Sequence, residues 1–97
     1  MFVAMARVEL HLPEVTTLKE KRAVLQSVAA RLRNEFHIAV AEVDRLDNHQ
    51  IAVIGVASVS NEAHHAQEIL DTAIRYVERS RPDAEVTSIE IDVVPAF

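Results

Sequence analysis

The chain contains no cysteine and no tryptophan, and its 97 residues include one glycine (Gly55), three prolines and four aromatic residues. Without cysteine it forms no disulfide and offers no thiol nucleophile or thiolate metal ligand, which fits a reducing compartment, so a cytoplasmic protein is expected. Phosphate-cradling and dinucleotide-binding turns need several glycines for backbone amides to approach a ligand, and a single Gly55 excludes both. No apolar run reaches the roughly 18 residues of a membrane span, and Arg7 and Glu9 interrupt the only N-terminal candidate for a signal segment. No membrane partner is therefore expected. The formal net charge of −5 argues against duplex DNA as a partner, because attraction to its backbone grows with the number of cations presented.

What is present reads as one domain over residues 1–97. Apolar residues alternate from Phe2 to Leu12, the period of a strand with one buried face, and Pro13 stops it. Thr17 and Glu20 have the spacing of a capping box. Behind them Leu18, Leu25, Val28, Leu32 and Phe36 mark the apolar stripe of a first helix. Ile38 to Asp44 and Gln50 to Ser58, separated by the turn-like Arg45 to His49, predict a hairpin. Ser60 or Asn61 is expected to cap a second helix with Ala63, Ala66, Leu70, Ala73 and Val77 on its buried stripe. A last strand runs from about Glu85 to Val94. This order predicts an α+β, ferredoxin-like βαββαβ two-layer sandwich, with a four-stranded antiparallel sheet and both helices on one face. Arg7, Glu9, Glu90 and Asp92 should share the open face. The third strand is apolar at both parities, which implies burial on both sides, and a second subunit covering the open face is the simple consequence: a homodimer.

Charge is segregated along the chain. The segment Thr16–Phe36 holds five of the ten Lys and Arg against two of the fifteen Asp and Glu, which leaves it at +3 and the remainder at −8. The candidate nucleic-acid or phosphate-binding residues are Lys19, Lys21, Arg22, Arg31 and Arg33. Lys19, Arg22 and Arg33 fall near one meridian of the helix; Arg31 is displaced around it, and Lys21 lies near the buried stripe. The competing reading is a solvated face supported by local pairs of Glu20 with Lys19 or Lys21. Aromatic platforms for base stacking on the sheet are wanting, since Phe2 and Phe36 belong with the core. An RNA would then be held by shape and phosphate on the helical side.

No catalytic residue is assigned. His64 and Glu68 are spaced i to i+4, but two ligands are too few for a closed zinc site, so neither metal nor cofactor is expected. Glu42, Asp44 and Asp47 sit around the hairpin turn, where carboxylates bond backbone amides. The serines lack the context of a nucleophile elbow.

The stretches Arg7–His11, Leu18–Arg22, Ala41–Asp44 and Val59–Asn61 together resemble the bacterial YlxP family, a domain of unknown function also called DUF503. The likeness spans essentially the whole chain, and the Leu-Lys-Glu-Lys-Arg run of residues 18–22 is its most specific part. It implies a ferredoxin-like fold and a cytoplasmic protein. Members are often encoded near translation and ribosome-maturation factors, so the resemblance favours a non-enzymatic module that contacts RNA or a ribosomal particle. The alternatives are a dimeric protein-interaction or small-ligand-sensing scaffold and, third, an enzyme of acylphosphatase type. The last is disfavoured because Leu12–Thr17 has no glycine for an amide cradle.

Overall fold

The computed structural model describes all 97 residues. Six elements follow in the expected order: β1 (Phe2–His11), α1 (Leu18–Phe36), β2 (Ala39–Asp44), β3 (Ile51–Ser60), α2 (Ala63–Ser80) and β4 (Glu85–Pro95). They form one antiparallel sheet of order β2-β3-β1-β4 with two helices, the ferredoxin-like arrangement.

Strict alternation in β1 turns Ala4, Ala6, Val8 and Leu10 into the core, all at most 5% exposed. They pack there with Leu25, Val28 and Leu32 of α1 and Leu70, Ala73 and Val77 of α2. Thr17 starts α1 as expected. Its hydroxyl accepts the Glu20 N–H at 3.1 Å, and the Glu20 carboxylate is held in turn by the hydroxyls of Thr16 at 2.8 Å and Thr17 at 3.4 Å. The helix ends on His37 in the left-handed region (φ 52°), whose N–H reaches the Arg33 carbonyl at 3.0 Å.

The start of α2 differs from expectation. β3 runs to Ser60 and α2 begins only at Ala63, so the cap position falls on Glu62, one residue beyond Asn61, and Glu62 makes no side-chain capping bond. The Ser60 hydroxyl instead accepts the Glu62 N–H at 3.1 Å, which tightens the turn before the helix.

The sheet has two irregularities, and the first positions side chains that matter below. Between Glu42 and Asp44 the β2–β3 register shifts by one residue, with Glu42 opposite Ile54 and Asp44 opposite Val53. Strict alternation would put Glu42 and Asp44 on the same side. The bulge at Val43 instead leaves Glu42 on the helix side and turns Asp44 to the open side. A second shift, between Glu9 and Leu10, marks the β1–β4 pairing.

On the open face, Arg7 pairs with Gly55 on one side and Glu90 on the other, as the strand neighbours require. The two-sided apolar pattern of β3 has a local explanation at one point. Val53 is fully buried within the single chain, although it lies on the side away from the helices. Val59, at the far end of the strand, is 61% exposed.

Candidate nucleic-acid interface

The five basic residues of α1 separate into three groups. Lys19 and Arg22 project into solvent and enter none of the protein's salt bridges, which are made by Arg7, His11, Lys21, His64 and Arg81. Arg33 is also exposed and lies on the same flank, where its Nη2 donates to the Val40 carbonyl of edge strand β2 at 2.6 Å. This bond satisfies an edge carbonyl and tethers one end of the guanidinium to the sheet. From Lys19 to Arg33 the flank spans about 21 Å at 1.5 Å per residue. Arg31 is exposed as well. Nine residues beyond Arg22, it stands about 180° around the helix and cannot share a ligand surface with it.

Lys21 is the exception, and its assignment as an anion-binding residue is corrected by the structure. It is 1% exposed. Its ammonium donates to the carbonyls of Arg45 at 2.8 Å and Asn48 at 2.6 Å and lies 2.7 Å from Glu42 Oε2. The approach to Glu42 is close but off the hydrogen-bond axis, and that buried oxygen has no donor, so charge attraction holds it. Lys21 thus fastens the β2–β3 loop to α1. The reason it is buried is helical geometry: position 21 completes the series 18, 21, 25, 28, 32, which faces the sheet. Glu20, which was to pair with Lys19 or Lys21, is used in the cap instead.

The carboxylates near the hairpin do not converge on an acid–base centre. Glu42 faces Lys21, while Asp44 faces Arg7 at 2.8 Å and accepts the Arg45 N–H at 2.8 Å. The hydrogen bond from Arg7, with that from the Arg45 backbone, holds the Asp44 carboxyl below the ordinary aspartate range. The hydroxyl of Thr16 does the same for Glu20. Both groups are stabilised as fixed anions. In the Leu12–Thr17 connection the Val15 N–H is spent on the Leu12 carbonyl at 3.2 Å, and Gln50 Nε2 meets the carbonyls of Pro13 and Val15. The loop is bound inward, and an amide that a phosphate cradle would use is already engaged. His64 and Glu68 meet at 2.8 Å on the exposed side of α2.

A family model described as "Protein of unknown function (DUF503)" matches residues 3–91. The chain belongs to the DUF503 family. It is 29% identical over 85 residues to the "Uncharacterized protein YlxP" of Bacillus subtilis (strain 168), covering 88% of this chain and 91% of that protein. Among solved structures, the de novo designed protein Foldit4 superposes over the full length of both chains with a TM-score of 0.55 at 11% identity, a likeness of fold alone. Three of the four stretches by which the DUF503 likeness was recognised meet in space. Leu18–Arg22 supplies Lys21 to Glu42 of Ala41–Asp44, and Arg7–His11 supplies Arg7 to Asp44 of the same stretch. Those positions hold the fold. No helix is long and apolar enough to cross a membrane.

Proposed function

We propose that this DUF503 protein is a non-catalytic module that docks on phosphate-rich RNA, such as that of a ribosomal particle, through the α1 flank carrying Lys19, Arg22 and Arg33. One observation carries the reading: Lys19 and Arg22 stay unpaired and solvent-facing in a protein with fifteen carboxylates. Lys19 sits in the first turn of α1, where the helix dipole opposes a cation, so nothing in helix stability favours it there. Arg33, tethered at Nη2 by the Val40 carbonyl, keeps its remaining N–H groups for phosphate oxygens.

The recognition is of the backbone rather than of bases. Phe36 and Tyr76 pack edge to face with centroids 5.3 Å apart, against the core, and are not free to stack on a nucleotide. Three phosphate contacts give a slope of log affinity against log salt of about −2 to −3. Co-sedimentation with ribosomal particles tests this. The triple variant K19E/R22E/R33E should leave the pellet while keeping its circular dichroism spectrum, and raised salt should release the wild type. Sedimentation unaltered by the triple change would remove the basis of the reading.

A further inference from the structure

The open face of the sheet carries a depression of about 690 Å³ that the RNA reading does not use. Its floor is set by register. Ala41 pairs with Gly55 and Ala39 with Ala57, so four of the five smallest residues of the two strands form a square on adjacent rows of the open face. Strand spacing makes that square about 5 Å across and about 7 Å along, the footprint of one large apolar side chain. Met5 stands beside it in β1, opposite Ala57. On the other side, Val43 leans over Gly55 so closely that a Cβ added there would lie 2.9 Å from Val43 Cγ1. The only glycine of the chain thus makes room for this arrangement in extended backbone. Met5 and Val43 are 41% and 51% exposed, apolar surface with no cover within the chain.

The rim states what kind of cover fits. Arg7 is engaged by Asp44 at 2.8 Å and faces Glu90 at 3.8 Å, and Asp92 lies on the next row opposite Met5. One guanidinium against these three carboxylates leaves the rim at −2. The Glu90 side chain is 71% exposed and open to a new partner. A second copy laid face to face would set an equally acidic rim against this one, which like-charge repulsion opposes. A small ligand would be covered on one side only, whereas ligand pockets enclose most of their ligand.

We propose that this depression docks a polypeptide segment presenting a large apolar side chain flanked by lysine or arginine. The apolar group sits on the Ala39, Ala41, Gly55 and Ala57 square, and the flanking cations meet Glu90 and Asp92. The site lies on the sheet face opposite the helices, and it stands or falls independently of the RNA surface.

The test is an NMR titration of the isotope-labelled full chain with a short synthetic peptide holding a central Trp-Leu pair between lysines. The amides of Ala39, Ala41, Gly55 and Ala57 should shift. Ala41→Phe, which fills the floor from an exposed edge-strand position, and the double change E90K/D92K should each weaken binding by about tenfold or more, while K19E/R22E should leave it unchanged. Any of five results would overturn the proposal: no shift at those amides at millimolar peptide, equal binding of a peptide with glutamates in place of lysines, equal binding of a peptide with the Trp-Leu pair replaced by serines, equal binding of tryptamine alone, or the same shifts on concentrating the protein by itself, which would assign the face to a second copy.

Discussion

Replacing Lys21 with methionine keeps the length of the buried stem and removes only the ammonium. Three groups are then stranded together: the carbonyls of Arg45 and Asn48 lose their donor, and the Glu42 carboxylate, whose buried Oε2 accepts no hydrogen bond, loses its counter-charge. Removing one member of a buried ion pair costs about 3–5 kcal/mol. The Glu42 side chain keeps 19% exposure and can recover some hydration, which places K21M near the lower end, at about 3 kcal/mol. In a domain of this size that corresponds to a fall in Tm of about 12–24 °C. The control lies two residues away. K19M removes the same charge from an exposed, unpaired position and should change stability by no more than about 0.5 kcal/mol. Urea denaturation of both variants reads the difference. Adding Glu42→Leu to K21M removes the stranded carboxylate and should restore more than about 1 kcal/mol, a coupling that a double-mutant cycle isolates. A K21M protein within about 1 kcal/mol of wild type, or simple additivity with Glu42→Leu, would refute the reasoning.

Acid should weaken the fold through two groups whose carboxyls sit below their ordinary range, Glu20 and Asp44. Because the folded state favours their charged forms, their contribution is complete above the ordinary carboxylate range and is lost as pH falls through the lowered values. Carbon-detected NMR titration should show Asp44 moving up toward an ordinary aspartate in Arg7→Gln, and Glu20 moving up in Thr16→Val; unmoved titrations would assign the shifts to other causes. His37→Gly relieves a left-handed residue at the end of α1 (φ 52°) and should stabilise the protein by about 0.5–1 kcal/mol in chemical denaturation. A destabilised H37G would show that the imidazole contributes more than its strained backbone costs.

The order of elements and the buried face of β1 were legible because alternation and helical spacing report burial directly. The stripe of α1 was legible too, except at Lys21. Its position in the 18, 21, 25, 28, 32 series was plain, but a lysine is ordinarily solvated, and its partners come from residues 42, 45 and 48. Only the assembled hairpin supplies them. The bulge at Val43 was hidden for a related reason. A period of two assigns Glu42 and Asp44 to one face, and nothing local announces the extra residue that sends them to opposite faces. The α2 cap was misplaced because β3 pairs with β1 as far as Ser60, a tertiary fact. The exposure of Lys19 and Arg22 followed from their meridian, and Gly55 could be noted as unusual, but its role became visible only with Val43 above it.

The central claim is that the Lys19–Arg22–Arg33 flank, and not Lys21 or Arg31, meets RNA. Amide shifts of the labelled protein titrated with a ribosomal RNA fragment at low salt test it most directly. The account predicts changes confined to the solvent side of α1 around Lys19, Arg22, Gln26 and Arg33, which fade as salt is raised. Changes centred on the sheet face or around Arg31, or a spectrum that RNA leaves untouched, would contradict it.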